Sequence, residues 1–158
     1  MDDMKLDGFK ELAAAMRELG PRVARNALRS AVSNGAAVIR DEAKVLAPMS
    51  VPGEKSAKQS PPGTLKRAIA IKRDRDSRDV FAAKYSVFVR SAGNAKGVKA
   101  YGRLDAFYAK FLEFGTSKMA ARPFLRPALD HKKEAAVAAI GARLDEKIQQ
   151  TATELSKK

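Results

Sequence analysis

The chain has 158 residues, a net charge of +13 and no cysteine. That length suits one domain with a real core, and the missing cysteine excludes a disulfide framework, a zinc–thiolate site and a thiol nucleophile, as fits a cytosolic protein. No apolar run approaches the roughly 20 residues of a membrane span, and the charged opening "MDDMKLDGFK" does not read as a signal peptide.

The first predicted element is a helix over 6–19, where Leu6, Phe9, Ala13 and Met16 recur at helical spacing. Gly20 stops it and Pro21 suits the first turn of a second, long helix running to about Ala47. The stripe of that helix reads Ala24, Ala27, Leu28, Ala31, Gly35, Val38, Ile39 and Leu46, with small residues that admit a close neighbour. Residues 48–63, "PMSVPGEKSAKQSPPG", hold four of the seven prolines and no periodicity, so a mobile loop is expected.

"TLKRAIAIKR" predicts a short turn and then a strand with Ile69 and Ile71 on one face. The polar "DRDSRD" turns the chain, and "VFAAKYSVFVRS" (80–91) alternates as the second strand of an antiparallel hairpin. A second glycine-rich, basic loop spans 91–104, with a third strand expected near 98–101. Asp105 is a candidate cap for a short helix, "AFYAKFLEF", closed by Gly115 in the left-handed conformation. A long C-terminal helix then runs from about Pro127 to Leu155, striped by Leu129, Val137, Ile140, Leu144 and Ile148. The pattern is one α+β domain over 1–158: two N-terminal helices, a hairpin or small sheet, a short helix and a long one.

The positive charge concentrates in the middle of the chain, where residues 51–104 carry 13 Lys/Arg against 4 Asp/Glu. Such a segment attracts polyanions, whether nucleic acid or an acidic protein surface; the plainer reading is a solvated face. Lys96, Lys99 and Arg103 are the candidate polyanion contacts. Against a dedicated nucleic-acid binder stands the lack of a helix-turn-helix, zinc-finger or RNA-recognition signature.

Catalytic constellations are not evident. His131 is the one histidine, beside Lys132 and Lys133. No serine or threonine has an elbow motif with a base, and "GNAKG" and "GTSK" lack Walker spacing. The reading is a non-enzyme without cofactor or metal.

The most unusual stretch is "FLEFGTSKMAARPFLRPALD", residues 111–130. Thr116 and Ser117 suit a turn, Pro123 holds Arg122 extended, Phe124 offers an apolar anchor, and Pro127 fits a first helical turn. Glu113 has two readings: an exposed helix residue, or a carboxylate that pairs with Arg122 or Arg126 or accepts turn N–H groups. The stretch reads as a rigid joint.

At these residues the chain resembles the gene-product-ten-like head–tail joining, or tail-completion, proteins from the neck of long-tailed bacteriophages. The resemblance rests on Tyr108, Glu113, Phe114, Gly115, Thr116, Arg122, Pro123, Phe124, Arg126, Pro127 and Ala128, and upstream on Gly63, Thr64 and Leu65. It implies a structural virion protein made in the bacterial cytoplasm. The implied assembly is a ring around the sixfold tail axis, a hexamer, touching tail-tube, terminator or head-completion proteins and packaged DNA, with no membrane. The alternatives are a tail terminator or head-closure ring at another neck position, and a basic nucleic-acid-binding protein.

Overall fold

The computed structural model of the chain describes residues 21–49, 62–74, 82–90 and 106–156. These form α1 (Pro21–Leu46), α2 (Thr64–Ala68), β1 (Ile69–Arg73), β2 (Tyr85–Val89), α3 (Ala109–Phe114) and α4 (Leu125–Ser156). The architecture is α+β, as the sequence predicts. The helix expected over 6–19, the strand near 98–101, Asp105 and the basic residues Lys96, Lys99 and Arg103 lie outside the described residues, as does most of both expected loops.

α1 and α4 pack antiparallel. At one end Ala24 and Ala27 meet Leu144 and Ile148; at the other Ala43 and Ala47 meet Phe124 and Ala128. Every buried residue of α1 is alanine or glycine: Ala24, Ala27, Ala31, Gly35, Ala36 and Ala43. Val38 and Ile39, expected on the stripe, are only half-buried. Small side chains set the seam because they let the backbones approach. A Cβ on Gly35 would lie 2.5 Å from Ile140 Cγ1 and 2.9 Å from the Ala136 carbonyl oxygen. α4 begins two residues before the expected Pro127, and its buried row is Ala128, Ala136 and Leu144, with Ile140 and Ile148 beside it. Leu129, expected in that row, is 48% exposed, because Phe124 at the helix entry sets the phase in steps of four.

The hairpin covers the Ala43–Ala47 end of α1. Ile69 pairs with Val89 and Ile71 with Val87, antiparallel. Val87 and Val89 pack on the core, as their alternation predicts. β2 is shorter than expected, but Arg90 N–H to the Ala68 carbonyl and Asp74 N–H to the Lys84 carbonyl, both 2.9 Å, continue the ladder. The segment before β1 is a one-turn helix rather than a plain turn, entered through Gly63 at φ 79°, ψ 4°. It buries Leu65 beside Ile69, Ala106, Ala109 and Phe124, so one core joins α1, α2, β1, α3 and α4.

Candidate functional site

The region from Tyr108 to Ala128 connects α3 to α4. α3 starts at Ala109, later than the sequence suggests, and Tyr108 precedes it without a side-chain cap. Ala109 is buried, and Tyr108 and Leu112 pack partly against the core. The Gly115 N–H closes the helix on the Phe111 carbonyl at 2.8 Å. Gly115 does not take the expected left-handed helical conformation. Its φ of 74° and ψ of −178° fall in an extended positive-φ region that is essentially reserved for glycine. Its surroundings add a second constraint, because a Cβ would sit 3.0 Å from Ala121 N and 3.1 Å from the Met119 carbonyl oxygen.

Beyond Gly115 the chain makes a tight turn. Thr116 and Met119 exchange backbone hydrogen bonds at 2.9 and 3.2 Å, and Thr116 Oγ1 accepts the Lys118 N–H at 3.3 Å. The Arg122 N–H then donates to the Leu112 carbonyl at 2.7 Å, which ties the returning chain to α3. Pro123 has no N–H to leave unpaired and leads into α4.

Glu113 holds the two helices together. Its Oε2 accepts the N–H groups of Phe124 at 2.9 Å and Leu125 at 3.0 Å, and its Oε1 accepts that of Arg126 at 3.1 Å. A helix leaves its first four N–H groups without internal partners. The first internal bond here is Ala128 N–H to the Phe124 carbonyl, so those four positions are 124 to 127. Pro127 carries no N–H, so Glu113 satisfies every donor the helix start presents. The carboxylate also faces the positive end of the helix dipole. Burial opposes its ionisation, but the three backbone N–H groups and the nearby Arg126 charge outweigh it, and its pKa is lowered. Of the two readings open in the sequence, capping of N–H groups is the one realised. Among the described residues no ion pair joins Glu113 to Arg122 or Arg126.

Phe124 fills the core, with no exposed surface. Phe114 is its opposite, 71% exposed. Arg122, Pro123 and Arg126 are exposed and Pro127 half-buried. His131 Nδ1 lies 3.4 Å from Glu42 Oε1, and Lys132 Nζ 3.8 Å from Glu42 Oε2, so these residues link α4 to α1 across the seam. Sequence spacing gives no sign of that pairing, which spans 89 residues. Among the described residues no group of His, Asp or Glu could hold a metal ion.

The site is therefore a braced joint between packed helices, built from backbone geometry, one carboxylate and one aromatic anchor. Compared with known families, residues 10–115 match "Bacteriophage HK97-gp10, putative tail-component". The match spans about two thirds of the 158 residues, and the chain belongs to this family of bacteriophage tail components. Its matched region includes α1, the hairpin, α3 and Gly115, and ends inside the joint. Comparison with characterised proteins and with solved structures returned no match.

Proposed function

We propose that this tail component completes the tail and joins it to the filled head, as a ring around the tail axis. The observation that carries the reading is the family match over residues 10–115, ending at the Gly115 that shapes the joint. A braced joint suits a load-bearing ring: Glu113 and Phe124 fix the direction in which α4 leaves α3. Closed rings form by head-to-tail contacts, one patch on a different patch of the next copy. A sixfold tail calls for six copies. The neighbours are tail-tube, terminator or head-completion proteins, met in the host cytoplasm during assembly. The function needs no catalysis and no cofactor.

The basic middle segment supports a secondary contact with packaged DNA passing through the ring. Such contact is non-specific and falls steeply with salt. A terminator or head-closure ring is the competing position within the neck.

The test mixes the purified chain with isolated tails and isolated filled heads and images both by negative-stain microscopy. The proposal expects added density at the head-proximal end of tails and joined particles once heads are supplied. Binding to heads alone moves the chain to the head-closure position. Binding to neither overturns the proposal.

A further inference from the structure

α3 and the turn before it have an outer face that stays largely open. Tyr108, Ala109 and Leu112 turn toward the core. Phe107 lies in the turn before the helix, and at about 100° per residue Phe111 and Phe114 fall roughly 60° apart on the other side. The three are 57%, 38% and 71% exposed. Phe124 fills the core beneath, and although the Phe107 ring meets Tyr108 edge-on with centroids 5.8 Å apart, much of these rings stays open. Aromatic residues held in the open at helical spacing mark a protein interaction surface.

The charges around them are one-sided. Lys110 Nζ lies 5.1 Å from the centroid of the Phe111 ring. Lys118, Arg122 and Arg126 are all exposed nearby in the chain. Glu113 is the single acidic residue between 106 and 126, and its carboxylate is committed to three backbone N–H groups. Among the described residues no ion pair engages Lys110, Lys118, Arg122 or Arg126, so the cations that accompany the aromatic face along the chain have no acidic partner there. A second copy offering this same face would set cation against cation, which disfavours association there.

The geometry points to the outer face of α3 as a docking surface for a different tail protein, one that presents an apolar groove rimmed by Asp and Glu. This inference rests on the reading of the chain as a tail component and names the chemistry of its partner. Phe111 and Phe114 enter the groove and Lys110 and Lys118 meet its rim.

The experiment uses tails purified from particles assembled without this chain. A photo-crosslinking phenylalanine analogue at position 114 reports the contact. Binding to the tails is measured for the wild type, for Phe111→Ser/Phe114→Ser and for Lys110→Glu/Lys118→Glu, with melting curves for each. The expected crosslink falls on another tail protein, close to Asp or Glu residues. Both double variants lose about tenfold or more in affinity at wild-type melting temperature, and wild-type binding weakens as salt rises. Crosslinks confined to this chain, in the same copy or another, overturn the inference, as does wild-type binding by either correctly folded double variant. If the phenylalanine variant melts early, the charge-reversed one decides. Failure of the wild type to bind tails at all overturns the tail reading itself and this inference with it.

Discussion

Glu113 Oε2 accepts the Phe124 N–H at 2.9 Å while the Phe124 ring is wholly buried in the core. The start of α4 is therefore fixed twice, by a carboxylate from α3 and by a ring beneath it. Glu113→Ala removes all three acceptor bonds and leaves the first turn to water. The expected cost is about 1–2 kcal/mol, the range of a lost helix cap. Glu113→Gln keeps one acceptor oxygen without the charge and falls between. Thermal melts of the two variants check this order; equal melting of both with the wild type would show that the cap contributes nothing.

The same residue predicts a pH dependence. Burial disfavours the charged form of Glu113, yet its three backbone N–H partners and Arg126 hold its pKa below the ordinary 4.5. A folded pKa below the unfolded one adds stability that is fully present above the unfolded value and is lost as pH falls through the folded one. The melting difference between wild type and Glu113→Gln should be full at neutral pH and shrink below about pH 4.5. Asp41, lowered by its bond from Arg40, and Glu146, lowered by its bond from Arg143, share this sign. Both remain in the variant, so they cancel in the difference. A constant difference down to strongly acid pH contradicts the prediction.

Gly115→Ala should destabilise by about 1–3 kcal/mol, because the residue must hold an extended backbone at positive φ. The new Cβ also meets the backbone of Ala121 at 3.0 Å. Gly115→Val should be at least as damaging. Chemical denaturation measures both, and an unchanged midpoint would show that the turn relaxes without cost.

Phe124→Ala should cost about 3–5 kcal/mol, as expected for a large ring deleted from a packed core. Its neighbours there include Ala43, Ala47, Ala109 and Ala128, which are too short to refill the space. The loss is one of fold stability, so joining should fail only where the chain unfolds. A variant that melts normally but cannot join would place the ring in a neighbour instead.

At the seam, Gly35→Ala sets two effects against each other. Alanine gains about 1 kcal/mol of helix propensity. Its Cβ would press on Ile140, a movable side chain, and on the Ala136 carbonyl at 2.9 Å, which moves only with α4. The steric effect should win and lower the melting temperature.

Parts of this architecture are legible in the sequence and parts are not. The hairpin is legible because Ile69 with Ile71 and Val87 with Val89 alternate as the fold uses them. Pro127 and Phe124 announce the start of α4 for local steric and apolar reasons. The choice made by Glu113 is not local, since its partners stand 11 to 13 residues away. Spacing names the candidates but does not decide among them. The α1–α4 seam is legible in part: Ala24, Ala27, Ala31 and Gly35 mark a close approach and Ile140, Leu144 and Ile148 face it, but alanine offers little hydropathy contrast, and Leu129, Val38 and Ile39 pull a periodic reading off its phase. Around α3, Tyr108 with Leu112 and Phe107 with Phe111 and Phe114 both recur at helical spacing. Periodicity alone does not say which set faces inward.

The proposed role of this tail component lies at the junction of tail and head. The most direct measurement is to delete the gene from the phage or prophage that encodes it and image the particles by electron microscopy. Filled heads and finished tails should accumulate apart, and expression of the wild-type chain should restore joined, infectious particles. Normal joined particles in its absence would contradict the account.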